Sequence, residues 1–290
     1  MAANLDRIRI DAGSREVTRV IAAHFTPVTP TLLVRRALPD AGLRNVGPWI
    51  FLDHFGPLQV ARGDRGTPPH AHAGIETVTY LLDGGMHHRD SQGHAGFVGA
   101  HGAQWMTAGR GVVHAERPEV GTLHGLQLWT KLPRAIQQID PAYRKLAAEE
   151  LPVFRAGDAQ VRVVGGVLMR YRSPVQTRWP LLLAHVSFTA RGRARLEVPA
   201  GFDLAAYVAL GQARFGEVEA DAGKLVKFAR EGTSIEVAND LEEHADVVLL
   251  GGAPLDEPMV FHGPFVMDSA ASIRRAEQDY HAGRMGGLAE

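Results

Sequence analysis

The sequence contains no cysteine, and that absence limits the chemistry open to the protein. Disulfide bonds, thiolate nucleophiles and cysteine-ligated zinc sites are excluded together. Any metal ion must therefore be held by histidine, aspartate or glutamate side chains. The chain has 14 histidines and 32 acidic residues from which such a site could be built.

The chain also has little excess charge and no long apolar run. Its formal net charge of -1 argues against a general electrostatic attraction to nucleic acid or to an anionic membrane. The longest apolar runs, such as VVLLGGAPL at 247–255, are far shorter than the roughly 18 residues of a membrane-spanning helix. The first 17 residues carry charges within their only apolar stretch, unlike a secretory signal. We therefore predict a cytoplasmic protein without direct nucleic-acid or membrane contact.

Short apolar or alternating segments bounded by Gly, Pro and Asp recur along most of the chain. They include ETVTYLL, LHGLQLWTKL, VRVVGGVL, LAAYVAL and ADVVLLG. Strands of this length and spacing are typical of a β-sandwich or β-barrel. Because 290 residues exceed what one core usually supports, we predict two β domains, residues 1–155 and 156–290.

Two segments have helical patterns instead. In the first, Asp140 could cap a helix that begins at Pro141, runs through PAYRKLAAEEL and stops before Pro152. We predict this helix as the connector between the two domains. In the second, SAASIRRAEQDYHAGRMGG, Ile273 and Ala276 repeat on one face before the glycines end the helix.

Eight of the 14 histidines lie within residues 70–124. Two of them, His70 and His72, precede the strand ETVTYLL, and side chains two residues apart on a strand point to the same face. His114 and Glu116, in GRGVVHAE, have the same spacing. The sequence therefore predicts a site of three histidines and one carboxylate, supplied as pairs by two strands.

Such a site suits a divalent transition metal ion, because imidazole and carboxylate ligands accept iron, manganese, cobalt, nickel, copper and zinc. Four protein ligands leave up to two octahedral positions open for a substrate oxygen or dioxygen, whereas a structural site would be closed. Glu76 is an alternative carboxylate, because it lies six residues after His70 and has the same strand parity. Spacing alone does not separate Glu76 from Glu116.

The other histidines are assigned outside the ligand set. Three follow the turn sequence DGG at 83–85 and are predicted to lie on the returning arm of a hairpin and its polar loop: His87, His88 and His94. His101 lies where a turn is expected, and His54 and His124 lack a partner at ligand spacing, so these three are candidates for contacts around the ligands. Four are scattered through the second half, which we predict to bind no metal: His185, His244, His262 and His281.

The stretches PHAHAGIETVTYLLDGG, HHRDSQG and QWMTAGRGVVHAE closely resemble the pirin family of the cupin superfamily. The C-terminal GPFVMDSAASIRRAEQDYHAGRMG resembles the final strand and helix of that family. The resemblance is dense from Trp49 to Glu116, reappears from Val260 to Gly286 and is thin between them. The cupin HxHxxxE pattern is moderately specific, whereas the QWMTAGRGVVHAE block is strongly so.

The resemblance implies an all-β bicupin, with two antiparallel β-barrels of jelly-roll type, a few short helices and metal only in the N-terminal barrel. It implies the ligands His70, His72, His114 and Glu116, with Glu76 supporting a histidine by hydrogen bonding. Fe(II) is the predicted ion, and a monomer is the predicted state.

The chain departs from the family in two places. Ala71 and Ala73 stand where most pirins have a proline and an arginine beside the metal, and GAHGA at 99–103 replaces a proline-containing turn. Neither change removes a ligand. We predict that both alter the pocket entrance and the choice of substrate.

The resemblance implies two different functions. In the first, the chain is a quercetin 2,3-dioxygenase that opens an aromatic flavonol with O2 and releases carbon monoxide, while Glu116 accepts the proton of the 3-hydroxyl. In the second, it is a non-enzymatic, metal-dependent regulator that binds a protein partner, as pirins of eukaryotic nuclei do. A metal that only stabilises the fold is a third interpretation, and the glycine-rich strands that leave access argue against it.

Overall fold

The computed structural model describes residues 13–30 and 32–289. The first 17 residues, from which we predicted the absence of a secretory signal, lie mostly outside these ranges. The strands of the first half, in chain order, are β1 (Val17–Ala22), β2 (His24–Pro27), β3 (Leu33–Leu38), β4 (Trp49–Val60), β5 (Thr67–His72), β6 (Ile75–Asp83), β7 (Gly85–Asp90), β8 (Ala95–Gly99), β9 (Ala103–Thr107), β10 (Val112–Pro118), β11 (Gly121–Lys131) and β12 (Ala142–Leu146).

The described part of the second half, up to residue 289, contains thirteen further strands and one α-helix. They are β13 (Val153–Ala156), β14 (Ala159–Leu168), β15 (Tyr171–Arg172), β16 (Leu181–Phe188), β17 (Gly192–Glu197), β18 (Asp203–Leu210), β19 (Gln212–Phe215), β20 (Val218–Asp221), β21 (Lys224–Phe228), β22 (Ser234–Asn239), β23 (Ala245–Gly252), β24 (Val260–His262), β25 (Phe265–Met267) and α1 (Ala270–His281). Two 3-10 turns lie at Arg134–Ile136 and Ala148–Glu150. Nearly all the segments predicted as strands are strands, so the all-β prediction is confirmed.

The first barrel is built from two antiparallel sheets. One has the strand order β12-β9-β6-β11-β4-β3-β2, and the other has the order β5-β10-β7-β8. A cavity lies between them, lined by residues of both sheets. The smaller sheet contains both strands that were predicted to carry metal ligands.

The second barrel has the same two-sheet construction. Its large sheet has the order β1-β21-β18-β23-β16-β14-β13, and its small sheet has the order β17-β22-β19-β20. Apolar side chains fill the space between these sheets, among them Val163, Phe188, Leu196, Phe215 and Val247. Strand β1 comes first in the chain but belongs to this second barrel, and the boundary near residue 155 stays a prediction.

The large sheets of the two barrels pack against each other. Trp49 and Tyr80 of the first barrel are buried in one cluster with Tyr207 and Leu250 of the second. The indole Nε1 of Trp49 donates a hydrogen bond to the carbonyl of Gly251 at 2.9 Å. The bicupin architecture therefore has a continuous apolar interface between its halves.

Histidines that were candidates for contacts around the metal ligands lie at this interface instead. His54 Nε2 is 2.8 Å from His124 Nε2, and His54 Nδ1 is 2.9 Å from the hydroxyl of Tyr207. His101 lies in the turn before β9, with its ring centroid 6.0 Å from that of His185. These groups connect the two barrels, so their assignment to the surroundings of the ligands was wrong.

The buried His54 makes stability depend on pH. Burial, together with the nearby His124 and Arg35, lowers its pKa to about 3, whereas the neutral Tyr207 accepts or donates only a hydrogen bond. Below about pH 6.5, His54 is therefore protonated in the unfolded chain but stays neutral in the folded chain. The free energy of unfolding falls as the pH decreases from about 6.5 towards about 3. At about pH 5 this single group lowers the free energy of unfolding by about 2 kcal/mol relative to about pH 7.

We expect His54→Gln to reduce that loss, because glutamine keeps a polar group there but does not titrate. Urea unfolding of both proteins at the two pH values measures it. The wild-type chain should lose about 2 kcal/mol more than the variant on acidification. Equal losses in both proteins would contradict the role given to His54.

The connector helix predicted from Pro141 to Leu151 does not form. Its residues make strand β12 and the 3-10 turn Ala148–Glu150. Strand β12 pairs in register with the edge strand β9, from Ala142 opposite Thr107 to Leu146 opposite Ala103. Pairing with β9 and burial of Leu146 stabilise the strand by more than the local helix propensity stabilises a helix, because helix propensity is a weak determinant.

The C-terminal helix is confirmed as α1. Ser269 caps it by accepting a hydrogen bond from the backbone N–H of Ser272 at 3.2 Å, and its buried face contains Ile273 and Ala276. No helix in the described part of the chain is long and apolar enough to cross a bilayer.

Helix α1 packs, together with β25, against the outside of the first barrel. Ala71 and Ala73 belong to the apolar cluster formed there with Phe265 and Ile273. Neither alanine lines the cavity of the first barrel, and neither does the 99–103 turn. The prediction that these departures alter the pocket entrance was therefore wrong, because the alanines face the C-terminal segment.

Candidate metal centre

The predicted ligand pairs lie on neighbouring antiparallel strands. His70 of β5 is opposite His114 of β10, and a register shift follows before Glu116, which is opposite Thr67. The ring centroid of His114 is 4.3 Å from that of His70 and 5.0 Å from that of His72. The structure therefore brings the three predicted histidines together.

Backbone carbonyls orient the first two histidines. Nδ1 of His70 lies 2.9 Å from the carbonyl of Pro68, and Nδ1 of His72 lies 3.1 Å from the carbonyl of Pro264. Because a carbonyl only accepts, each Nδ1 carries the proton and each Nε2 keeps a lone pair. The two Nε2 atoms are 3.1 Å apart and cannot hydrogen-bond in this state. That separation matches the roughly 3.0 Å between adjacent octahedral ligands at about 2.1 Å from one ion.

His114 is the strongest indication that a metal ion belongs here. Its side chain is buried, and neither ring nitrogen has a hydrogen-bond partner among the described residues. Burying an unpaired polar group costs about 1–3 kcal/mol, which coordination would offset. Burial, with the charges of His70 and His72, holds the pKa of His114 well below its ordinary value, and burial lowers the pKa of His72 to about 3. The imidazoles of His72 and His114 are therefore neutral and able to ligate at neutral pH.

Glu116 is held by polar side chains of the opposite sheet. Its Oε1 accepts a hydrogen bond from Thr79 Oγ1 at 2.8 Å and another from Gln104 Nε2. Two groups of ligand atoms in residues 13–30 and 32–289 could hold an ion, with all atoms of a group within 4.8 Å of one another: His70, His72 and His114, and His88, His114 and Glu116. Glu116 is therefore close to His88 and His114, and His114 also belongs to the group of three histidines.

Glu76 does not support a histidine, and this prediction was wrong. Its carboxylate accepts hydrogen bonds from Thr107 Oγ1 at 2.7 Å and, at a weak 3.4 Å, from Thr130 Oγ1. It belongs to neither of the two groups of potential ligands. Burial raises its pKa, against the hydrogen bond from Thr107.

His88 was assigned to a polar hairpin and lies instead beside the site. Strand β7 does not return along β6. It enters the smaller sheet, pairs with β10 and places His88 opposite Glu116. Strand β7 forms a hairpin with the following strand β8 instead, from Gly85 opposite Gly99. One sequence signal could have identified His88: His88 and Asp90 have the same i, i+2 spacing as the predicted ligand pairs.

The cavity of the first barrel ends at this cluster. Its volume is about 630 Å³, and His70, His72 and Glu116 form part of its wall. Aromatic rings form another part: Phe51 and Trp129 stack at 4.0 Å, and Trp129 meets the ring of His72 edge-on at 5.0 Å. A cavity of this size and lining suits a flat organic ligand.

The fold and the site define a bicupin with a histidine-rich metal-binding centre in its first barrel. The family model described as Pirin matches residues 31–130, and the one described as Pirin C-terminal cupin domain matches residues 183–286. The chain therefore belongs to the pirin family, as its resemblance implied.

Relatives support the same conclusion over most of the chain. A pirin-like protein of Solanum lycopersicum is 36% identical over 259 residues, covering 88% of this chain and 87% of the relative. Pirin of Homo sapiens is 35% identical over 261 residues, covering 87% and 88%. A solved quercetin 2,3-dioxygenase from Acinetobacter baumannii superposes with a TM-score of 0.88 at 26% identity, covering 95% of this chain and 100% of that chain.

Proposed function

We propose that this protein is a metal-dependent dioxygenase that opens a flavonol such as quercetin at its 2,3-position with O2. The observation that carries the proposal is the aromatic-walled cavity that ends at the histidine cluster. The similarity to the Acinetobacter quercetin 2,3-dioxygenase supports it. We assign His70, His72, His114 and Glu116 as the metal ligands and Fe(II) as the ion.

The cavity walls bind and orient the substrate. The stacked Phe51 and Trp129 offer apolar ring surface, on which a planar flavonol gains both burial and stacking. Trp129 Nε1 is buried without a hydrogen-bond partner among the described residues, and it can donate to an oxygen of the flavonol. Arg36 and Asp53, joined by two hydrogen bonds of 2.7 Å, add a polar element to the same wall.

Glu116 accepts the proton of the substrate 3-hydroxyl. Thr79 and Gln104 donate to its Oε1, so Oε2 is the oxygen left without a partner among the described residues. A base held in one orientation is effective because proton transfer requires hydrogen-bond reach. The metal ion, when bound, supplies a Lewis acid that favours the deprotonated substrate.

The test is an assay of purified, Fe(II)-loaded protein with quercetin under oxygen. We expect loss of the flavonol absorbance, with one O2 consumed and one carbon monoxide released per flavonol. His70→Ala should abolish it, whereas the matched variant His87→Ala, on the opposite face of the sheet, should retain it. Turnover that is absent, or equal without metal, contradicts the proposal. Metal analysis and an electron paramagnetic resonance spectrum of protein purified without added metal test the assignment of iron.

A further inference from the structure

A second set of potential ligands adjoins the three-histidine cluster. Ligand atoms of His88, His114 and Glu116 lie within 4.8 Å of one another, and the two histidines are buried while Glu116 is 9% exposed. They come from two paired strands, β7 and β10, in which Glu116 is directly opposite His88. The set combines two imidazoles with one carboxylate, which suits a divalent transition metal ion.

His88 has the surroundings of a metal-ligating histidine. Its Nε2 faces Asp90 Oδ2 at 3.3 Å, and the backbone N–H groups of Gln92 and His94 hold the other carboxylate oxygen at 2.9 and 3.1 Å. With a proton on Nε2, His88 keeps a lone pair on Nδ1, which has no hydrogen-bond partner among the described residues. A carboxylate that orients a histidine in this way is the usual support of a ligand.

Other contacts keep the side chains of His88 and Glu116 in place. The ring of Tyr143 stacks on that of His88, with centroids 4.2 Å apart and planes 6° apart. The hydroxyl of Tyr143 donates to Gln104 Oε1 at 3.2 Å, and Gln104 in turn donates to Glu116. His88 and Glu116 are thus fixed by one connected group of side chains. Such preorganisation lowers the cost of binding an ion.

We propose that His88, His114 and Glu116 form a second position for a divalent transition metal ion, next to the position that His70 and His72 form with His114 and Glu116. A neutral imidazole has one lone pair, so His114 serves one position at a time and the two positions are alternatives for a single ion. The proposal adds a ligand, His88, to the metal site on which the proposed function rests.

The experiment measures binding of Co(II) by titration calorimetry and by the visible absorption of the bound ion. In His70→Ala/His72→Ala the first position is removed, and we expect the variant still to bind one Co(II) per chain. Adding His88→Ala should weaken that binding by about 100-fold or more, because the second position then loses a ligand. Adding His87→Ala instead is the matched control, because His87 is the preceding residue and faces away from the site, against Phe97.

Two results overturn the proposal: the double variant binds no Co(II), or His88→Ala and His87→Ala affect its binding equally. Circular dichroism checks that each variant is folded. If the alanine pair unfolds the chain, His70→Leu/His72→Leu replaces it, because leucine fills a similar volume without a lone pair. Binding of Co(II) does not require turnover, so a failed quercetin assay leaves this result intact.

Discussion

His114→Ala is expected to abolish specific metal binding, with a loss of affinity of more than about 100-fold. His114 belongs to both groups of potential ligands, and both of its ring nitrogens are buried without a partner among the described residues. Any ion in the pocket therefore depends on it. The variant should also lose the dioxygenase activity proposed for the protein.

Thermal unfolding with and without metal separates loss of the site from loss of the fold. At a free metal concentration about 100 times Kd, bound metal adds about 2.7 kcal/mol to the stability of the wild-type chain, which raises Tm by roughly 5 °C or more. His114→Ala should show no such increase, and His87→Ala should show all of it. A metal-dependent increase in Tm that persists in His114→Ala would rule out the assigned site.

Gly74→Ala is expected to destabilise the protein by about 3–5 kcal/mol. Gly74 has φ +78°, and a Cβ atom there would lie 2.1 Å from the carbonyl oxygen of Val266 and 2.7 Å from the sulfur of Met267. These contacts are with strand β25, and the carbonyl just before β25, that of Pro264, orients His72. Displacing β25 should therefore also lower metal affinity, by roughly ten- to a hundredfold.

Gly283→Ala is the matched control, because Gly283 has a similar φ of +72° and a Cβ atom added there would meet nothing within 4 Å. It carries only the strain of a left-handed alanine, about 1–2 kcal/mol. Urea unfolding and metal titration of both variants give the comparison. Equal effects of the two substitutions would show that β25 has no part in holding the site.

Strand parity was sufficient to predict that His70, His72 and His114 lie together. Alternation along a strand is a local property, so the spacing in HAH and HAE indicated the two pairs of candidate ligands before any partner strand was known. The all-β class followed for the same reason. Family resemblance then favoured Glu116, where parity had left Glu76 as an equal alternative.

Which strands pair was decided only by the tertiary structure. His88 has the spacing of a ligand, yet its place beside Glu116 depends on β7 joining β10 instead of β6. Residues 141–151 follow a helical pattern, but Ala142–Leu146 form strand β12 because they pair with the open edge of β9. The single carbonyl that orients His72 comes from Pro264, 192 positions later in the chain. Local spacing determines which side chains can share one face of a strand. Which residues that face contacts is decided by the pairing of distant segments, because strand pairing depends on how much apolar surface the whole fold can bury.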